Sequence, residues 1–189
     1  MLKLRRNKNT QSLSIKGFTL LEALVAISIL MVAVVTPITI AQKGLTSAVY
    51  TKSQMVASYL AQDAIEFIKN KKDVNVIAAR TDDGVGWLDG LDQCLNSNWC
   101  RVDTINPPNG GTIYAGVTTP LSVDNSSYLY DYAAGGTPTD FVRKVNILKN
   151  PYGTNADEAL ITVQVSWGGT GNVITVKDLI YDTYRVDPI

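Results

Sequence analysis

The chain has 189 residues, enough for one domain, or for one domain plus an anchor. Its 17 Lys and Arg balance its 17 Asp and Glu, but five of the cations and none of the acids lie in residues 1–17, so 12 cations face 17 acids from Phe18 onward, a net charge of −5. That acidic balance lacks the basic face a nucleic-acid binder needs, and the absence of histidine excludes histidine triads, histidine zinc sites and histidine proton shuttles.

Residues 1–17 carry Lys3, Arg5, Arg6, Lys8 and Lys16. Such a segment stays on the cytoplasmic side under the positive-inside rule and is an orientation signal outside the folded domain. From Phe18 to Ala41 the only ionisable side chain is Glu22. These 24 residues, at about 1.5 Å each, span roughly 36 Å as a helix, enough for one pass through a bilayer core of about 30 Å. An isolated acid costs about 2.5–3.5 kcal/mol at the bilayer centre and less near the interface, so Glu22 is a functional candidate; its bland alternative is snorkelling at headgroup depth. An ordinary secretory signal peptide is the competing account, with an apolar region of about 7–15 residues and a small-residue cleavage site. The run here is longer, holds an acid and offers only Thr39-Ile40-Ala41 as such a site.

Leu45, Val49, Val56, Tyr59, Leu60, Ala64, Phe67 and Ile68 recur at steps of mainly three and four among polar residues, which extends the helix as an amphipathic one over 42–73. Lys69-Asn70-Lys71-Lys72-Asp73 reads as its solvated, cationic C-terminus. Pro37 removes a backbone hydrogen bond and Gly44 lowers helix propensity by about 1 kcal/mol, so the spacing predicts a kink or loosening over 33–44.

Frequent Gly and Pro from Gly84 to Pro138 divide residues 74–140 into loops, with short strands expected near Thr112–Val117 and Ser127–Tyr132 and an exposed, variable character overall. Cys94 and Cys100 bracket five residues there. In an exported domain that suits a small disulfide loop, two buried free thiols being the alternative, and the ligand set for a metal is lacking. Asp82, Asp83, Asp89 and Asp92 beside Gly84 and Gly90 read as turn formers, since their spacing does not match a calcium-binding EF-hand loop. Asn125-Ser126-Ser127 formally fits a glycosylation acceptor. Residues 141–189 regain order: 141–148 read as a strand, Ile161, Val163, Val165 and Trp167 alternate with polar residues, and Gly168 to Asn172 turn the chain into a strand over 173–181, giving a terminal hairpin.

The sequence Lys16-Gly17-Phe18-Thr19-Leu20-Leu21-Glu22, continued by the apolar run, resembles the N-terminus of type IV prepilins. The resemblance implies a cut between Gly17 and Phe18 by a membrane-embedded prepilin peptidase, methylation of the Phe18 amine, and pairing of Glu22 with the N-terminal amine of a neighbouring subunit. It also implies loss of helix over 33–44 on entering a filament. Ala57 to Asp73 and the late hairpin are similar to PilV-type minor pilins and to I-type pseudopilins of type II secretion, some of which bind calcium, so calcium stays open beside an expectation of no cofactor. The implied fold is α+β, a long N-terminal helix packed on an antiparallel sheet. The implied role is that of a structural subunit, not an enzyme, whose partners are the peptidase, other pilins, the inner-membrane assembly platform and the membrane. The implied location is a single-pass cytoplasmic membrane protein, its C-terminal domain outside the cytoplasm, then a cell-surface or periplasmic filament. A singly anchored binding module that does not polymerise is the alternative. An anchored enzyme would need a catalytic cluster in 74–189, where no spacing points to one.

Overall fold

The computed structural model describes residues 17–82, 84–105, 112–132, 135–153, 157–169 and 171–183. The basic leader up to Lys16, and with it Asp83, Pro107, Pro108, Gly110 and Gly111, lies outside the described residues. Among the described residues one α-helix, α1 (Leu20–Ala79), is followed by a short 3-10 helix (Asp92–Cys94) and eight strands. The strands are β1 (Cys100–Asp103), β2 (Thr112–Ala115), β3 (Ser122–Val123), β4 (Tyr130–Asp131), β5 (Thr137–Pro138), β6 (Val142–Lys149), β7 (Glu158–Trp167) and β8 (Asn172–Tyr181). The chain divides into two compact units, residues 1–48 and 49–189.

In the first unit every described side chain is exposed. Its part of α1 has the length and hydropathy to cross a membrane, with a mean hydropathy of 2.5 over its most apolar stretch. The hydroxyls do not interrupt that surface. Ser28, Thr36 and Thr39 turn their Oγ atoms back onto the carbonyls of Leu24, Val32 and Val35 at 2.8, 2.8 and 2.9 Å, the internal satisfaction that a lipid environment requires. The helix runs unbroken through Pro37 and Gly44, where the sequence predicts a break over 33–44. One missing proline N–H removes one rung of a long ladder, and the intact turns on either side hold the helix together.

In the second unit α1 buries one face against a sheet. Ala57, Leu60, Ala61, Ala64, Ile65, Ile68, Lys72, Asn75, Val76 and Ala79 are buried, at helical spacing, and the alanines let the backbone approach closely. The expected end at 69–73 is overtaken: α1 continues to Ala79. Val76 and Ala79 are still buried, and the Asn75 amide donates to the carbonyls of Trp87 (3.2 Å) and Asp89 (2.8 Å), which binds the last turns to the following loop. Lys69 and Lys72 are not free cations at a solvated end. Lys69 pairs with Asp178 of β8, and the mostly buried Lys72 reaches Asp73 at 2.9 Å.

The sheet is antiparallel in the order β2-β1-β6-β7-β8. Residues of one parity on each strand face α1: Val145 and Ile147 on β6, and Ala159, Ile161, Val163 and Val165 on β7, all fully buried, with Ile174, Val176 and Ile180 on β8. The register aligns Cys100, Val145, Val163 and Val176 in one row and Arg143, Val165 and Ile174 in the next. This is the α+β arrangement implied by the resemblance. The β7–β8 turn needs its glycines, because Gly168, Gly169 and Gly171 have φ of 69°, 77° and 86°.

Residues 74–140 depart most from expectation. They do not form a wholly exposed appendage: Leu88, Leu91, Cys94, Cys100, Val102 and Leu121 belong to the core, and β1 is an interior strand of the main sheet. The strand expected over 112–117 is β2, ending at Ala115, and only Tyr130–Asp131 of the 127–132 stretch pairs as β4. A second small sheet, β4-β3-β5, closes over the start of β6, with Leu121 exchanging backbone bonds with Phe141 and Thr139 at 2.8 and 3.0 Å. Gly136 passes so near that a Cβ would lie 2.8 Å from the Val123 carbonyl oxygen.

Candidate functional site

The N-terminal segment that the sequence singles out begins outside the helix. Gly17, Phe18 and Thr19 have no helical assignment and are exposed, and α1 starts at Leu20. Thr19 is its N-cap. The Glu22 N–H donates to Thr19 Oγ1 at 3.3 Å, and the Ala23 N–H donates to the Thr19 carbonyl at 3.1 Å. Thr19-Leu20-Leu21-Glu22 therefore has the form of a capping box, a hydroxyl residue followed three positions later by an acid. That signature is present in the sequence, where the charge of Glu22 inside an apolar run is the more conspicuous feature.

Capping fixes where Glu22 stands. It is the third residue of the first turn, where unpaired N–H groups and the helix dipole favour a carboxylate. Gly17 and Phe18 lie just beyond the cap. A Cβ built on Gly17 would meet nothing within 4 Å, and its φ is not in the left-handed region. Among the described residues nothing demands glycine there, which leaves room for a requirement set by a partner that grips this segment. Phe18, Leu20 and Leu21 expose 78, 81 and 73% of their surface, and the apolar cover continues along the helix through Ile40 and Leu45. An exposed apolar stretch of this extent marks a surface that lipid or other apolar helices must cover. Lys16 lies outside the described residues.

Residues 13–36 match the model of the prokaryotic N-terminal methylation motif. The match supports a type IV prepilin-like protein. It points to a structural pilin rather than an enzyme and implies processing by a prepilin peptidase and assembly with other pilins. No curated protein and no solved structure matches the chain.

The other candidates lie in the second unit. Cys94 and Cys100 are joined as a disulfide, and both are fully buried. Asp82 Oδ1 accepts from the Gly84 N–H at 3.0 Å and Asp89 Oδ2 from the Gly86 N–H at 2.7 Å, so both carboxylates close turns; Asp83 lies outside the described residues. Among the described residues no three Cys, Asp or Glu side chains converge as a metal site. Asn125 Oδ1 accepts from Thr137 Oγ1 at 2.8 Å and helps to hold the second sheet.

One residue that sequence reasoning left unassigned organises this unit. Arg143, fully buried, donates from Nη1 to the Leu60 carbonyl (2.9 Å) and Asp63 Oδ2 (2.8 Å) of α1, and from Nη2 to the Val102 carbonyl (2.5 Å) of β1. Asp63 Oδ2 also accepts from Thr104 Oγ1 at 2.7 Å. The Tyr132 hydroxyl donates to the Arg143 carbonyl at 3.3 Å, and burial pushes its phenol above the ordinary value against the opposing charge of Arg143.

Proposed function

We propose that the chain is a minor pilin or pseudopilin, a structural subunit of a type IV pilus or of a related type II secretion or competence filament. The observation that carries this reading is the methylation motif at 13–36 running directly into a capped, wholly exposed apolar helix. In this reading the peptidase holds Lys16 on the leader side, cuts between Gly17 and Phe18, and methylates the new Phe18 amine. Residues 18–41 first anchor the subunit with its C-terminal domain outside the cytoplasm. They then pass into a cell-surface or periplasmic filament under the inner-membrane assembly platform. Neighbouring helices replace lipid around the same apolar surface, so the transfer exposes little of it to water.

Glu22 is the charge partner. Two opposite charges in an apolar interior each cost several kcal/mol alone and offset one another when paired, so the acid on one subunit and the amine on its neighbour favour one stagger of the helices. The assignment to PilV-type or I-type subunits rests on residues 57–73 and the β7–β8 hairpin. Replacing Glu22 by alanine tests the role. Membrane insertion and cleavage should persist while recovery in sheared filaments falls at least tenfold, a loss of about 1.4 kcal/mol or more per contact. Undiminished filament recovery of Glu22→Ala would remove Glu22 from that role, and absence of the wild-type chain from filaments would favour the anchored binding module instead.

A further inference from the structure

The Cys94–Cys100 loop is held by β6 at more points than the disulfide itself supplies. Asn146, on the face of β6 away from α1, directs its Nδ2 to the carbonyl oxygens of Asn96 (2.5 Å) and Asn98 (2.7 Å), with that of Cys94 at 3.5 Å. The Asn96 N–H donates to the Ile147 carbonyl at 2.7 Å, and Leu95 forms an isolated parallel bridge with Ile147. The Trp99 ring lies 4.6 Å from Lys144 Nζ. Asn96, the turning point, has φ 57°, a left-handed conformation that asparagine tolerates better than most residues. Every residue of the enclosed loop except Ser97 is thus named in a contact with residues 144, 146 or 147.

From this arrangement we infer that β6, through Asn146, is the template for the Cys94–Cys100 disulfide: the sheet shapes the loop and brings the thiols together, and oxidation follows. Asn146 is a positioning residue in this step. Its two N–H groups span carbonyls on opposite sides of Ser97, which closes the loop across its middle and sets its two ends, the cysteines, side by side. Cys100 is held independently, since it pairs with Val145 in the β1–β6 register. The oxidation joins two thiols in one Sγ–Sγ bond and releases two protons. Its two electrons, and the two protons with them, pass to a disulfide oxidant, a small-molecule or protein disulfide, whose S–S bond breaks and which leaves as two thiols. Once formed, the bond lies in the core with both sulfur-bearing residues fully buried, so an external thiolate reaches it only when the loop opens.

The alternative is that closeness in sequence alone sets the pairing. Six residues separate the cysteines, and closing so short a loop has a small entropic cost even in an unfolded chain. Redox equilibration separates the two. The full chain in detergent micelles is equilibrated with mixtures of reduced and oxidised glutathione, quenched with acid and alkylated. Mass spectrometry then gives the ratio of intramolecular disulfide to dithiol. Asn146→Ala should lower the effective concentration of the thiols about tenfold relative to the wild type, as expected for two lost amide bonds. Ile180→Val, a truncation in the core on β8, two strands away from β6, should stay within twofold. An Asn146→Ala value within twofold of wild type, or an equal fall in both variants, would overturn the inference. A second measurement does not depend on that variant folding. In Cys94→Ala/Cys100→Ala the Asn96 amide should remain protected from hydrogen exchange by its bond to Ile147, and exchange at the unprotected rate would show that the disulfide shapes the loop.

Discussion

Gly17 and Asp124 show how differently single residues carry meaning in this chain. Among the described residues nothing requires Gly17 to be glycine, and in the proposed reading its value lies in what the peptidase can fit around it. Gly17→Leu should leave the fold and membrane insertion unchanged while reducing cleavage at least a hundredfold, read as retention of the leader on intact-mass analysis. Efficient cleavage of that variant would remove Gly17 from the site. Asp124 works inside the chain. Its Oδ1 accepts from the Ser126 hydroxyl (2.6 Å) and N–H (3.0 Å) and from the Ser127 N–H (2.7 Å) and hydroxyl (2.9 Å), and these bonds, led by the Ser126 hydroxyl, hold the carboxyl well below the usual range. A depressed folded value stabilises the fold at pH above the unfolded value near 3.9, and that support is lost as pH falls through the folded value. Asp124 should therefore remain ionised at pH 3 in a carboxyl NMR titration, whereas a midpoint near 3.9 would mean that the serines do not hold it. Glu22 was legible at this scale from its isolation among apolar residues. Arg143 was not, because a cation inside a strand pattern looks like a solvent-facing residue until its partners on α1 and β1 are known.

Among the elements, the longest periodic stretches were legible and the shortest were not. The amphipathic helix and the β7–β8 hairpin repeat one pattern over many residues, so the period is unambiguous. The four residues of β1 carry no such pattern, and their place between β2 and β6 is decided by Cys100 and Val102 meeting an apolar face already built by distant strands. The helix end was misplaced for a similar reason: Lys71, Lys72 and Asp73 look like a stop signal, and only Asn75 bonding to the 87–89 loop shows why the helix goes on. Pro37 gave a local signal that the intact ladder on both sides overrides. The joint between α1 and the sheet depends on Arg143. Removing a buried cation leaves all of its partner groups unsatisfied at once, which costs several kcal/mol, although Asp63 is about half exposed and so contributes less than a fully buried acid would. Arg143→Ala should destabilise the second unit by about 2–4 kcal/mol in thermal unfolding of the full chain, and Asp63→Asn by about 1 kcal/mol or less, since the Leu60 and Val102 carbonyls would still hold the guanidinium. Equal effects from the two would place the weight on the ion pair and not on the carbonyls.

At the level of the whole molecule, the two units divide the work. Residues 49–189 form a sheet, a helix face and a small second sheet that satisfy one another. Residues 17–48 bury no side chain: every one is exposed and most are apolar. A sequence that keeps so much apolar surface uncovered needs a membrane, a partner or both, and the methylation motif at its head supplies a reason for each in turn. The motif and the Thr19-to-Glu22 capping pattern are legible without coordinates, whereas the open space around Gly17 needs them. The central claim is that this head is cut and modified before the apolar helix is used. Peptide mass spectrometry of the protein produced with a prepilin peptidase tests it most directly. The account predicts a mature chain that begins at N-methylated Phe18, and a chain cut near Ala41, or left whole, would contradict it.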